Sequence, residues 1–186
     1  MTQTELGAMS PESAGFLAYW RSLPKHDFIP RRDDIEPGVL KAMLPDVITA
    51  KLQYSEPIGL ILRIVGTRHV DRWGRNLTGK NYLDFVPPDA KQLAWARIRL
   101  IVEHPCGTHS FRVEKFHSGQ TARLESLSLP LRSRDGLPDQ IIIYSREVED
   151  PDARPWKRGP AQEFVSYLDN TFIDIGGGIP LDPGAH

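Results

Sequence analysis

Arg97 is the residue whose type and position most invite chemistry. On a helix advancing about 100° per residue from Ala90, Leu93, Ala94, Ile98, Leu100 and Ile101 share one arc, which Trp95 and Val102 extend. Arg97 falls inside that arc. An arginine turned toward an apolar interior is costly unless it is paired. Two readings follow. Its stem lies along apolar surface while the guanidinium reaches water or a carboxylate such as Glu114 or Glu125. Alternatively it is a cavity arginine whose planar fork grips a carboxylate or phosphate of a ligand.

The other reactive types lack the company that catalysis needs. No Gly-x-Ser-x-Gly, Gly-x-x-x-x-Gly-Lys or Gly-x-Gly-x-x-Gly string is present, so neither a nucleophile elbow nor a phosphate-cradling loop is expected. Cys106 is the lone cysteine, which excludes an internal disulfide and any multi-cysteine zinc site. No His/Asp/Glu spacing resembles a zinc site. Arg68, Arg72, Arg75 and Lys80 form a basic stretch, but Asp71 and Asp84 interleave. With 23 basic and 24 acidic residues the formal charge is −1. A solvated face, rather than a nucleic-acid or membrane surface, is expected. No apolar run reaches the ~18 residues of a membrane helix. The start is neither basic nor followed by an apolar stretch, so a cytoplasmic protein is expected.

These residues must be held by local elements, and 40% hydrophobic with 25% charged residues is ordinary for a globular chain. Ser10 caps and Pro11 opens a first helix that brings Phe16, Leu17, Trp20 and Leu23 to one face and stops at Pro24. A short helix is expected over Glu36–Leu44. Alternation predicts strands over Val47–Tyr54 and Ile58–Val65, joined as a hairpin by Ser55-Glu56-Pro57. Short helices follow at Gly66–Trp73, C-capped by Gly74, and at Tyr82–Val86. A long helix spans Pro88–His104. Strands are predicted at His109–His117, Thr121–Arg132 and Gln140–Val148. In the middle one, Ala122 and Leu124 are out of phase with Leu127, Leu129 and Leu131, which predicts a bulge near Glu125-Ser126.

Beyond that, Asp150–Pro155 reads as a linker, Ala161–Asp169 as a helix with Phe164, Val165 and Leu168 on one face, and Gly176-Gly-Gly178 as a hinge in a poorly ordered tail. The result is an α+β fold: a five-stranded antiparallel sheet with helices on one face, plus an N-terminal helix and a C-terminal extension. The expected organisation is a helical lead-in over 1–46, a core over 47–149, and a linker, short helix and tail over 150–186.

The element order over residues 47–148 resembles a PAS domain. More closely, the chain resembles a PAS-like family of proteobacteria. The matching features are Arg32-Asp-Asp-Ile-Glu-Pro37, Leu44-Pro45 before the first strand, Gly66-Thr67 after the second, and Gly74-Arg-Asn-Leu-Thr-Gly79. The resemblance covers about residues 15–150. It implies a stand-alone sensory or regulatory module that binds a small molecule or a signalling protein and is often a dimer. Fold alone does not name a ligand, and the cofactor is left unknown.

Within that frame, a light-sensing flavin domain needs an Asn-Cys-Arg-Phe-Leu-Gln string, which is absent, and Cys106 stands elsewhere, in His-Pro-Cys-Gly. Neither His69 nor His104 suits a mid-helix haem ligand. The expected cavity residues are Arg97 and His69, with Trp73, Tyr82 and Phe85 around the short helices, and Trp95, Phe111, Ile142 and Tyr144 from the long helix and sheet. The favoured reading is a non-catalytic sensory or regulatory module that binds a small ligand, an anion if Arg97 grips it, or a protein partner, or both. The alternatives are a small enzyme on a cone-shaped α+β scaffold, using His69, Asp71 and Arg97, and a ligand-free interaction module. The Phe16/Leu17/Trp20 face either caps its own sheet or pairs with a second subunit, and a homodimer through it is expected.

Overall fold

The computed structural model describes residues 8–148 and 159–184. The linker expected over Asp150–Pro155 lies outside them. Helix α1, Pro11–Ser22, begins as its sequence dictates: the Ser10 hydroxyl accepts the Ser13 N–H at 3.2 Å, with Pro11 in the first turn. The expected helix over Glu36–Leu44 is replaced by turns and a short 3-10 helix, Leu44–Asp46. Proline at both ends and Gly38 inside leave too few residues to repay helix nucleation.

Strands β1, Val47–Gln53, and β2, Gly59–Val65, form the expected antiparallel hairpin. Helix α2, Thr67–Trp73, ends on Gly74 in the left-handed region at φ 63°, as its glycine predicts. A 3-10 helix, Tyr82–Phe85, and helix α3, Lys91–Glu103, follow. Then come β3, Cys106–Phe116, β4, Thr121–Leu131, β5, Gln140–Glu147, and β6, Ala161–Asp174. One antiparallel sheet holds all six strands in the order β2-β1-β5-β4-β3-β6.

The sixth strand corrects the helix expected at Ala161–Asp169. Its ladder with β3 slips at three places, between Phe111 and Arg112, Val113 and Glu114, and Lys115 and Phe116. Each slip resets the two-residue period, which is why no strand alternation was legible there. Pairing also satisfies the amides and carbonyls that β3 would otherwise leave bare.

Strand β4 corrects a second expectation. It keeps unbroken register with β3 and β5, with no bulge at Glu125-Ser126. The phase change arises because both faces of the strand are covered. Leu124 lies in a cluster with α2, the 3-10 helix and α3, including Trp73, Phe85, Ile98 and Ile143. Leu127, Leu129 and Leu131 lie on the other face, with Phe16, Leu17, Trp20, Ile142 and Tyr144. Helices therefore pack on both sides of the sheet. Phe16 stacks on Tyr144 with ring centroids 5.2 Å apart, and Trp20 Nε1 donates to the Pro130 carbonyl at 3.1 Å. Burying each such aromatic stabilises the fold by about 2 kcal/mol. The apolar face of α1 is thus spent on its own sheet, the first of the two arrangements expected for it.

Candidate functional site

Antiparallel pairing decides which side chains meet α3. Ser110 pairs with Ser126, Arg112 with Leu124, and Ser126 with Ser145, so one face of β3–β5 carries a polar stripe beneath the helix. Between that stripe and α3 lies a cavity of about 50 Å³. Thr108, Ser110, Ser126 and Ser128 form its floor, Ala94, Ile98 and Ile101 its roof, and Arg97 and Asn170 also line it. This volume holds ordered water or a ligand of a few atoms and lies well below the ~300 Å³ of drug-sized pockets. The Asn170 Nδ2 group is buried and meets no acceptor among the described residues.

A smaller hollow of about 20 Å³ adjoins it through shared walls of Tyr82, Arg112 and Ile143, and is lined also by His69, Trp73, Phe85 and Glu114. Glu114 is 0% exposed. Arg72 Nε donates to it at 2.6 Å and Arg112 Nη2 stands 3.6 Å away. Arg112 also donates to Ser145 Oγ at 3.1 Å, which lies 2.8 Å from Ser126 Oγ. A buried carboxylate between two guanidiniums escapes most of the penalty that isolated burial would bring.

His69 continues this network. Arg72 Nη2 donates to its Nδ1 at 2.7 Å, and its Nε2 donates to the Asp46 carbonyl at 2.9 Å. Burial and the neighbouring Arg72 charge lower its pKa to about 3, so the ring is neutral and both nitrogens are engaged. Arg68 pairs with the Asp46 carboxylate, whose pKa burial raises despite that partner.

The expected cavity residues divide. Arg97 and Tyr82 line the larger cavity, and His69, Trp73, Tyr82 and Phe85 the smaller one. Trp95 instead meets Tyr54 edge-to-face, centroids 5.8 Å apart. Phe111 and Tyr144 do not join the site. Phe111 pairs with Glu125 and Tyr144 with Leu127, which sets them, like Ile142, on the α1 side. The hydroxyl stripe, Arg112 and Asn170 were missed. Ser126 and Ser128 alternating with Leu127 and Leu129 was their legible signal.

Arg97 is paired with neither Glu114 nor Glu125. Its Nε and Nη2 donate to the two carboxylate oxygens of Asp182 at 2.9 and 2.8 Å. The Gly184 N–H also donates to Asp182, at 2.9 Å. The guanidinium holds the Asp182 carboxyl below its ordinary range. The glycine-rich tail expected to be poorly ordered is therefore docked on α3.

A larger hollow, about 680 Å³, is an open surface cleft beside α1 and α2. Its three arginines are each engaged in an ion pair: Arg146 with Glu12 at 2.6 Å, Arg68 with Asp46, and Arg72 with Glu114. Among the described residues no group of three or more His, Cys, Asp or Glu could hold a metal, and no helix is long and apolar enough to cross a membrane.

No curated protein matches the chain. Among solved structures, a VqmA–ligand–DNA complex from Vibrio cholera is similar at 15% identity and TM-score 0.46, over 60% of this chain and 50% of that one. A light-oxygen-voltage domain studied with a flavin analogue is 14% identical, TM-score 0.45, over 61% and 84%. The PAS domain of a Colwellia psychrerythraea protein is 12% identical, TM-score 0.44, over 61% and 98%. The chain spans half the length of that VqmA chain. The family model described as PAS domain matches residues 8–143. That match runs from just before the cap of α1, through the roof of helices and the hydroxyl-bearing strands, into β5, and on it the chain belongs to the PAS domain family.

Proposed function

We propose that the chain is a non-catalytic sensory or regulatory module that takes a small polar ligand between α3 and the hydroxyl stripe, and reports its occupancy to a signalling protein. The observation that carries this reading is the lining. Hydroxyls of Thr108, Ser110, Ser126 and Ser128 and the unaccepted Asn170 Nδ2 face a hollow in the interior. A cavity kept only by imperfect packing is ordinarily apolar. The enzyme alternative has less support, because His69, its histidine candidate, has both ring nitrogens engaged.

Titrating acetamide against the isotopically labelled protein tests the reading. Saturable shifts of the Ser110, Ser126, Ser128 and Asn170 amides are expected, and Ser126→Leu, which fills the space, should abolish them. Absence of any saturable shift would overturn it in favour of the second reading, a ligand-free interaction module. That reading draws on the modest volume of about 50 Å³.

A further inference from the structure

The segment beyond β6 is held to α3 chiefly by charge. Leu181, next to Asp182, is 95% exposed and Ile179 is 61% exposed, so apolar burial contributes little to docking. The anchor is the two-pronged Arg97–Asp182 pair. Its fit is close: a Cβ on Gly184 would sit 2.6 Å from Arg97 Nη2 and 3.2 Å from a Leu93 methyl. On the near side, Asp174 Oδ1 accepts the N–H groups of Gly176 and Gly178 at 2.7 and 3.0 Å. That fixes the root of the segment and leaves its far end to the arginine.

Arg97 also lines the interior cavity. One side chain therefore both borders the cavity and holds the strap. The geometry points to Arg97 as a carboxylate receptor whose resting occupant is Asp182: a small carboxylic-acid anion entering the cavity takes the Arg97 fork, displaces Asp182 and frees residues 179–184. This deepens the cavity reading given above and rests on it. The fork suits a carboxylate because two parallel N–H groups meet two oxygens, and Asp182 already presents that group. The cavity size restricts the anion to a few non-hydrogen atoms. Asn170 Nδ2 and the serine hydroxyls would meet its remaining polar groups. Release follows from competition, since both carboxylates cannot hold the same two N–H groups.

The test uses the full chain with sodium acetate as probe, and sodium chloride holding ionic strength constant. Amide hydrogen exchange over 179–184 reads the strap, and amide shifts of Ser128 and Asn170 read the cavity. Acetate should raise exchange in 179–184 by about tenfold or more while Gly176 and Gly178 stay protected. Asp182→Asn should expose the strap without acetate and tighten acetate binding about tenfold, because the competitor is gone. Arg97→Gln should expose the strap and abolish acetate binding. Equal acetate affinity in the parent chain and Asp182→Asn, or a strap that stays protected in Asp182→Asn, would overturn the proposal. The neutral isostere acetamide separates the failures. If acetamide enters the cavity and acetate does not, the carboxylate receptor falls and the cavity reading stands. If neither enters, both fall.

Discussion

Gly66 and Pro45 touch through their backbones: a Cβ on Gly66 would lie 2.3 Å from the Pro45 carbonyl oxygen and 2.6 Å from that of Leu44. The Gly66 N–H also donates to the Val47 carbonyl at 2.8 Å. Two short motifs far apart in the chain, Leu44-Pro45 and Gly66-Thr67, are thus one contact that fixes where α2 leaves β2.

Gly66→Ala should therefore destabilise the protein by about 3 kcal/mol, since rigid backbone must shift to admit a methyl group. Gly38→Ala, where nothing lies within 4 Å, should change stability by less than about 0.5 kcal/mol. Urea midpoints of the two variants check this; a neutral Gly66→Ala would show that the contact yields.

The carboxylate of Glu125, 2% exposed, ties α1 to the sheet. It accepts the Ser10 N–H at 2.8 Å and the His109 Nε2–H at 2.9 Å. Burial pulls its pKa up, but the hydrogen bonds from His109, Ser10 and Ser13 prevail and leave it at about 2. Its folded pKa lies below the ordinary 4.5, so its contribution is complete above that pH and is lost as pH falls toward about 2. Glu125→Gln should cost about 3 kcal/mol at neutral pH, and the gap to the parent chain should close in acid. Parallel denaturation curves across pH measure it.

His69 sets a second acid limit. Its folded pKa of about 3 lies under the ordinary 6.5, so the native state binds fewer protons. Its share of stability is whole above about 6.5 and declines as pH drops from there. The ring resonances should hold one neutral tautomer, protonated on Nε2, from pH 8 to 5. A titration midpoint near 6.5 in the folded protein would contradict the buried network.

Cys106 is buried at the start of β3, donates to the Leu100 carbonyl at 3.5 Å, and has its thiol pushed up to about 12 by burial. Thiol reagents should label the native chain only through opening, at a rate that falls with any stabilising condition. Rapid stoichiometric labelling at neutral pH would place the thiol in solvent instead.

Much of this architecture was legible in the residues. The Ser10 cap, the Gly74 stop, the hairpin and the PAS resemblance all rest on short-range signals, and those survive folding. Long-range pairing was not legible. Phe111 and Tyr144 were assigned to the wrong side because the face a strand residue takes depends on register with its neighbours. The position of Arg97 on the apolar arc calls for a partner, and the half-buried side chain has one, yet Asp182 stands 85 residues away, and no local pattern links the two. The serine stripe hid behind its polarity, which in an outer strand means solvent.

Strand β6 begins beyond residue 143, where the PAS family match ends. Anyone trimming the protein to its recognised family core would strip β3 of its outer neighbour over Cys106–Phe116 and bare a ribbon of unmet amides. Such a fragment should self-associate through that rim, so sedimentation of the trimmed and intact forms would differ for reasons unrelated to signalling. The last strand is, in effect, the selvedge that stops the fabric from unravelling into its neighbours.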